Sequence, residues 1–137
     1  MKYLLDINVV SEVRKGKNAH PAVRKWWSDT EVVNIHVSVM VLGEIRQGVE
    51  RLRTKDPLKA EEIENWLKSV TDLMGGRILV VNQKIADVWG RMGVKRTLPL
   101  VDSILAATAV AHNLTLVTRN TRDIKDTGVS YLNPFQP

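Results

Sequence analysis

The sequence predicts an α/β fold: a three-layer α/β/α sandwich with a mostly parallel central sheet. Two observations support this prediction. Short apolar runs typical of buried strands alternate with longer segments in which apolar residues recur at helical spacing. Polar residues, several of them acidic, follow directly after these runs, where a parallel sheet presents the carboxyl ends of its strands. Strands that alternate with helices are typical of a parallel sheet covered by helices on both faces.

The amino-terminal part predicts one strand and two helices. Tyr3–Leu5 is apolar and short enough for a buried strand, and a helix is expected over residues 8–14. Residues 15–18 (KGKN) are typical of a turn. A second helix is predicted over residues 20–29, where Pro21 suits the first turn because its missing N–H would have no partner there.

The middle of the chain predicts a strand over residues 32–37 and two long helices. Ser38 ends the strand and can cap a helix over residues 39–53, in which Val41, Ile45 and Val49 recur at helical spacing. Residues 54–57 (TKDP) break this helix. The next is predicted over residues 58–74, and the pair of glycines after it is typical of a helix end.

The carboxyl-terminal part continues the alternation. Further strands are predicted at residues 78–81, 114–118 and 129–132. Helices are predicted at 83–92 and 102–112, the second with an Ala-rich face, and a short helical turn at 120–125. Residues 93–99, which contain Lys95 and Arg96, are predicted to be a mobile loop. No linker or internal repeat divides residues 1–137, so we expect a single domain.

Composition narrows the class of function. The 137 residues contain no cysteine, which excludes disulfides, thiolate zinc sites and cysteine nucleophiles. We expect a soluble, cytoplasmic protein, because no apolar run approaches the roughly 20 residues of a membrane-spanning helix and no signal sequence is recognised. The net charge of +5 rises further outside any site that pools acidic residues, and such a basic exterior favours a polyanion such as nucleic acid.

Three acidic residues, distant in sequence, are expected to meet at one rim of the sheet. Asp6 ends the first strand, Glu44 lies on the helix after the second, and Asp102 opens the Ala-rich helix. Clustered carboxylates repel each other unless a cation or a shared proton compensates, and hard oxygen ligands suit Mg²⁺ or Mn²⁺. The pattern indicates a metal-dependent enzyme that acts on phosphate. The structural alternative is ordinary: two acids at helix N-termini and one solvated glutamate.

A polar cluster after the fourth predicted strand completes the candidate site. Thr118 and Asn120 can supply a hydroxyl and an amide, Asp123 a fourth carboxylate, and Arg119 and Arg122 contacts to phosphates. The alternative is a polar capping turn with a salt bridge. The candidate substrate-binding residues are Asn8, Thr118, Arg119 and Asn120.

The arrangement of these motifs resembles the PIN-domain ribonucleases, and among them the VapC-type toxins of type II toxin–antitoxin pairs. The resemblance covers essentially the whole chain. It rests on residues 4–12 (LLDINVVSE), 38–48 (SVMVLGEIRQG), 102–109 (DSILAATA), 116–123 (LVTRNTRD) and 133–135 (NPF). It implies a magnesium-dependent endoribonuclease, with Mn²⁺ able to substitute, and transfer RNA as a reasonable substrate class. It also implies a homodimer and a cognate antitoxin that inhibits it.

By this resemblance Asp6, Glu44 and Asp102 match the metal-binding acids of the family. Some relatives have a fourth acid directly after the Thr-Arg pair, where this chain has Asn120, and Asp123 is the candidate that replaces it. The four acids form the expected catalytic set. No histidine is needed as a general base, so the three histidines are expected to be surface or structural residues.

One departure from the family pattern leaves a second function open. The family usually has threonine between the first Asp and Asn, and this chain has Ile7. The loss of that hydroxyl predicts an attenuated enzyme, or a PIN fold that binds RNA or antitoxin without cleaving RNA. Two other phosphate-acting classes fit less well. A haloacid dehalogenase phosphatase requires Asp where Asn8 stands, and a receiver domain requires paired acids near its start.

The four tryptophans are predicted to lie in different environments. Trp66 and Trp89 fit apolar helix faces. Trp26 and Trp27 are adjacent in a predicted helix and cannot both face the same way, so one is expected in the core and the other is a candidate for partner contact.

Overall fold

The computed structural model describes residues 1–92 and 98–136. Five strands form one sheet in the order β3-β2-β1-β4-β5, and every pairing between neighbours is parallel. The strands are β1 (Tyr3–Leu5), β2 (Ile35–Ser38), β3 (Ile78–Leu79), β4 (Thr115–Val117) and β5 (Tyr131–Leu132). The predicted α/β class with a parallel central sheet is confirmed.

Seven α-helices within the described residues connect and cover the strands. They are α1 (Ile7–Arg14), α2 (Pro21–Ser28), α3 (Val39–Arg53), α4 (Pro57–Met74), α5 (Gln83–Met92), α6 (Leu100–His112) and α7 (Thr121–Ile124). The chain moves outward from β1 to β2 and β3, then returns to β4 on the other side of β1. Connections between parallel strands are right-handed as a rule. The helices that connect β1, β2 and β3 therefore cover one face of the sheet, and those that return to β4 and continue to β5 cover the other, as in the predicted three-layer arrangement.

Short polar side chains fix where several helices begin and end. Ser38 Oγ accepts the Met40 N–H at 3.1 Å and caps α3, while Asp56 caps α4 just before a proline at its first position. Asn113 ends α6 in the left-handed conformation, with φ of 56°. Asparagine tolerates this conformation better than most residues, so it terminates the helix.

The structure departs by two residues or more from the predicted elements in four places. The strand predicted at 78–81 is limited to Ile78–Leu79. Residues Val32–Asn34 form a 3-10 turn, and the strand predicted from residue 32 starts at Ile35. Helix α6 begins at Leu100, so Asp102 is its third residue and does not open it. The strand predicted at 129–132 is limited to Tyr131–Leu132. The loop predicted at residues 93–99 falls largely on residues 93–97, which lie outside the described residues.

The tryptophans divide differently from the prediction. Trp26 and Trp27 are both half-buried against the core, and the Trp26 ring meets the Tyr3 ring edge-on at 5.3 Å. Trp66 packs against the core as expected. Trp89 is 41% exposed and donates its indole N–H to Ser103 Oγ at 2.9 Å, so it does not belong to an inward apolar face.

Across residues 1–92 and 98–136, no helix combines the length and the apolar character needed to cross a bilayer.

Candidate active site

The candidate site lies where the direction of strand order reverses. β1 and β4 are parallel neighbours in the sheet. After β1 the chain continues to β2 and β3 on one side, and after β4 it continues to β5 on the other side. Asp6 follows β1 and Thr118 follows β4, and the Asp6 N–H donates to Val117 O at 2.9 Å. Open α/β sheets bind ligands at this kind of switch point, outside the carboxyl ends of the strands. The geometry therefore brings the first and fourth predicted motifs together.

Three donors hold the Asp6 side chain, which is only 5% exposed. Its Oδ1 accepts the Ile7 N–H at 2.7 Å, which also caps α1. Its Oδ2 accepts Asn8 Nδ2 at 3.1 Å and the Thr118 hydroxyl at 2.7 Å. These three hydrogen bonds fix the carboxylate in one orientation. Helix capping and a place in the acidic site are thus combined in one residue.

Asn8 and Thr118 extend the network to the loop after β4. The Thr118 hydroxyl donates to Asp6 and accepts the Asn120 N–H at 3.0 Å. Asn8 Oδ1 accepts the Arg119 N–H at 3.1 Å. Each side chain uses both donor and acceptor capacity, so the loop is fixed relative to the Asp6 carboxylate.

Asp102 enters the site from α6 and is linked to Asp123 through one amide. Asn120 Nδ2 donates to Asp102 Oδ2 at 3.3 Å and to Asp123 Oδ2 at 2.8 Å. Burial raises the pKa of Asp102, and the negative charges of Asp6 and Asp123 raise it further, against the Asn120 hydrogen bond. Asn120 therefore keeps two like charges near each other by donating to both.

Glu44 reaches the same region from α3 and carries an unpaired oxygen. Its Oε1 is fully buried and has no hydrogen-bond partner among the described residues. Burial raises the pKa of Glu44, with smaller contributions from the charges of Asp6 and Asp102. A buried polar atom without a partner is costly, and it needs a physical explanation in a folded protein.

Apolar side chains lie beneath the polar groups of the site, so a negative charge on a carboxylate there is energetically unfavourable. The residues that line one narrow space are Asp6, Asp102, Leu105, Leu116, Thr118, Asn120 and Ile124. Leu105, Leu116 and Ile124 are buried core side chains. Carboxylates that pack against apolar side chains are poorly solvated, so an opposite charge would stabilise them more than it would at an open surface.

The donor set suits a hard divalent cation in its chemistry. Asp6, Glu44 and Asp102 offer only oxygen ligands, and the buried Glu44 oxygen has unused acceptor capacity. In the part of the chain that the structure describes, no three acidic or histidine side chains are gathered closely enough to hold a metal ion. The Asp6 and Asp102 carboxylates are instead bound by the hydroxyl and amides around them. Mutual repulsion of the three charges opposes closer approach unless a cation compensates.

The remaining candidates occupy the edge of the site. Arg119 is exposed, and its guanidinium carbon lies 4.6 Å from the centre of the Phe135 ring. The sequence predicts no functional role for Phe135 beyond its place in the terminal motif at residues 133–135. Arg122 is exposed on α7. His20 Nδ1 accepts the Ala22 N–H at the start of α2, a structural role as predicted.

Comparisons with known proteins agree with this architecture. A family model described as "PIN domain" matches residues 3–129. The chain is 28% identical to "Toxin FitB" of Neisseria gonorrhoeae over 96% of this chain and 97% of that protein. It is 26% identical to "VapC ribonuclease Y4jK" of Sinorhizobium fredii, over 98% of each.

Solved structures show the same likeness. The FitAcB structure from Neisseria gonorrhoeae matches with a TM-score of 0.89 and 27% identity, covering 98% of this chain and 99% of that chain. VapBC2 from Rickettsia felis, bound to a DNA fragment from its promoter, matches with a TM-score of 0.76 at 24% identity, which supports the fold alone. With a family match over most of its length, this chain belongs to the PIN domain family, in the group that contains the VapC-type toxins of toxin–antitoxin pairs.

Proposed function

We propose that this chain is a magnesium-dependent endoribonuclease, the toxin of a toxin–antitoxin pair, and that Mn²⁺ can replace Mg²⁺. The observation that carries the proposal is the buried Glu44 oxygen, which has no partner in the described part of the chain and feels the charges of two further carboxylates, Asp6 and Asp102. A site with raised carboxyl pKa values and an unused buried acceptor is typical of catalytic positions. A bound divalent cation satisfies both features, because it supplies positive charge and needs oxygen ligands.

Each site residue has a proposed role. Asp6, Glu44 and Asp102 hold the cation, and Asp123 is the fourth acid, next to Asp102. When bound, the cation supplies acidity for an attacking water and positive charge for the phosphate oxygens. Asn8 and Thr118 hold the Asp6 carboxylate in place through their hydrogen bonds.

RNA is the proposed substrate, with transfer RNA as the first class to test. The excess of Lys and Arg over Asp and Glu, which gives a net charge of +5, favours a polyanion. Arg119 and Asn120 on the loop beside Asp6 are proposed to contact it, as are the polar groups of Asn8 and Thr118. A relative of similar length carries the name VapC ribonuclease, which supports the same activity here.

The proposed partners are a cognate antitoxin and a second copy of the chain. The FitAB structure, 26% identical to this chain with a TM-score of 0.88, was solved bound to a DNA fragment. Another structure of the same fold is a toxin–antitoxin complex from Klebsiella pneumoniae. These relatives support an antitoxin partner, and the homodimer is proposed from the family resemblance.

Cleavage of a total transfer-RNA pool tests the proposal. We expect discrete fragments with Mg²⁺ or Mn²⁺, and none with EDTA or in Asp102→Asn. Asp29→Asn is the matched control, because it removes an exposed carboxylate just after α2, where it pairs with Lys25. Fragments that persist in EDTA or in Asp102→Asn would show that the acidic site is not the nuclease centre.

The second candidate function is a binding module with a weakened site. Ile7 packs against the core and offers the site only its backbone N–H, and Asn120 occupies a position where some relatives have an acid. This function predicts RNA or antitoxin binding that persists without fragments at any Mg²⁺ or Mn²⁺ concentration. Fragment formation by the wild-type chain would reject it.

A further inference from the structure

Phe135 is a nearly buried aromatic ring at the end of the chain, next to the candidate site. It is 9% exposed, and its N–H donates to Asn133 Oδ1 at 2.9 Å, which turns the chain back after β5. The same region is joined to the site loop because the Thr118 N–H donates to Leu132 O at 3.0 Å. The ring therefore has a fixed position relative to the loop that carries Thr118 and Asn120.

Arg119 lies over this ring with a guanidinium that has no hydrogen-bond partner among the described residues. Its guanidinium carbon is 4.6 Å from the ring centre, within the range of a cation–π contact. Its backbone N–H is bound to Asn8 Oδ1, which anchors the residue two hydrogen bonds from Asp6. Within residues 1–92 and 98–136 the guanidinium makes no ion pair or hydrogen bond, so its five N–H donors can serve a ligand.

His20 supports the ring from a second direction. The two rings meet edge-on with centres 5.5 Å apart. His20 itself is fixed, because its Nδ1 accepts the Ala22 N–H at 3.1 Å and its own N–H donates to Glu12 at 2.7 Å. Phe135 is thus held between a rigid helix start and the Arg119 guanidinium.

We propose that Phe135 is a positioning residue: its ring holds the Arg119 guanidinium at the edge of the acidic site, where it binds a phosphate of the RNA strand. The inference rests on the proposed ribonuclease function and adds a substrate-positioning element to it. A phosphate is the fitting ligand because the ring already covers one side of the guanidinium and leaves its N–H edge, which matches phosphate oxygens. Such contacts set the position of a strand without reading its sequence.

Steady-state cleavage of the transfer-RNA pool gives the first test. We expect Phe135→Leu, which keeps an apolar side chain but removes the ring, to raise KM about two- to fivefold with kcat nearly unchanged. Arg119→Gln should raise KM about tenfold. The double variant should be no worse than Arg119→Gln, because the ring acts only through the guanidinium.

Two controls separate positioning from general effects. Tyr3→Leu removes the other edge-on aromatic contact, with Trp26, at the start of β1 and away from the site. It should lower Tm as Phe135→Leu does but leave KM unchanged. Arg51→Gln removes an exposed charge in the last turn of α3, about 20 Å of helix from Ser38, and should also leave KM unchanged.

RNA binding gives a readout that is independent of cleavage. A labelled single-stranded RNA of mixed sequence is titrated with each variant in an Asp102→Asn background over a range of salt. Loss of one phosphate contact should lower the slope of log affinity against log salt by about 0.7 for Arg119→Gln, and by part of that for Phe135→Leu. A wild-type protein that yields no fragments overturns the ribonuclease, while these slopes still decide the role of Phe135. Equal slopes and KM values for Phe135→Leu and Tyr3→Leu, or additive effects in the double variant, overturn the positioning role.

Discussion

Glu44 combines a buried oxygen that has no partner within residues 1–92 and 98–136 with a pKa above the ordinary carboxyl value. For an acid whose pKa is raised on folding, the folded state binds more protons, so stability falls as pH rises through the raised pKa. Glu44→Gln removes this charge and keeps the shape of the side chain. We expect it to stabilise the metal-free protein at pH 7 by about 1 kcal/mol, a Tm increase of roughly 3 °C. The difference should vanish below the ordinary pKa range of carboxyl groups.

Thermal unfolding in EDTA and in Mn²⁺ measures this prediction. Mn²⁺ should raise the Tm of the wild-type chain, because a ligand that binds only the folded state stabilises it. Glu44→Gln should lose most of that increase. Glu61→Gln, an exposed glutamate on α4, is the control and should change neither value. A Glu44→Gln variant less stable than wild type in EDTA would show that the carboxylate is not a source of strain.

Ile7 allows a test of whether the site is attenuated. Its side chain packs against the core, so it adds no polar group to the Asp6 environment beyond the backbone N–H. We expect Ile7→Thr to raise kcat about fivefold, the effect of one added hydrogen bond near the reacting groups. Ile7→Val has the shape of threonine without the hydroxyl and should leave kcat unchanged. Equal rates for the two variants would end the attenuation hypothesis.

At the scale of elements, the start of α3 matters to the site because this helix carries Glu44. Ser38 is fully buried and its hydroxyl accepts the Met40 N–H. Ser38→Ala leaves that N–H unpaired and should cost about 1–2 kcal/mol, a Tm decrease of roughly 3–6 °C. Ser28→Ala, an exposed serine whose hydroxyl donates to Lys25 O in α2, should change Tm by less than about 2 °C. Similar decreases for both would argue against a capping role.

Element types were predictable where periodicity and caps agree. The fifteen residues of α3 were predicted with both ends correct, since Ser38 and a regular apolar stripe give the same boundaries. Val32 and Val33 misled the strand prediction because β-branched residues favour strands, yet they are 42% and 65% exposed in a 3-10 turn. Local propensity is weak where no buried face selects a strand.

One contact at the candidate site, between Asp6 and Thr118, was predictable from the sequence. The position of Asp6 and Thr118 after parallel strands was enough, because the carboxyl ends of such strands meet at one rim. The Asn120 amide that bridges two carboxylates was not predictable, since it depends on side-chain orientation. Phe135 was not predictable for the same reason: no spacing rule connects it with Arg119, which is 16 positions earlier.

At the scale of the whole molecule, the sheet's topology concentrates negative charge while the chain as a whole is basic. The net charge is +5, and the four acids at the switch point leave the rest of the molecule more positive. A polyanion such as RNA would therefore be attracted to the exterior and repelled at the acidic site when no cation is bound. This charge distribution determines whether a divalent cation tightens or weakens the binding of RNA.

We expect Ca²⁺ to tighten the binding of single-stranded RNA by the wild-type chain. Divalent cations usually weaken such binding, because they compete with Lys and Arg for phosphates. Here a hard cation held by Asp6, Glu44 and Asp102 would replace repulsion with attraction. The measurement is the affinity for a labelled mixed-sequence RNA at constant ionic strength, without and with about 1 mM Ca²⁺, with a gel to confirm intact RNA. Asp102→Asn should show only the ordinary weakening. If Ca²⁺ weakens binding equally in both proteins, the acidic site does not hold a cation that faces the RNA, and its buried carboxylates need another explanation.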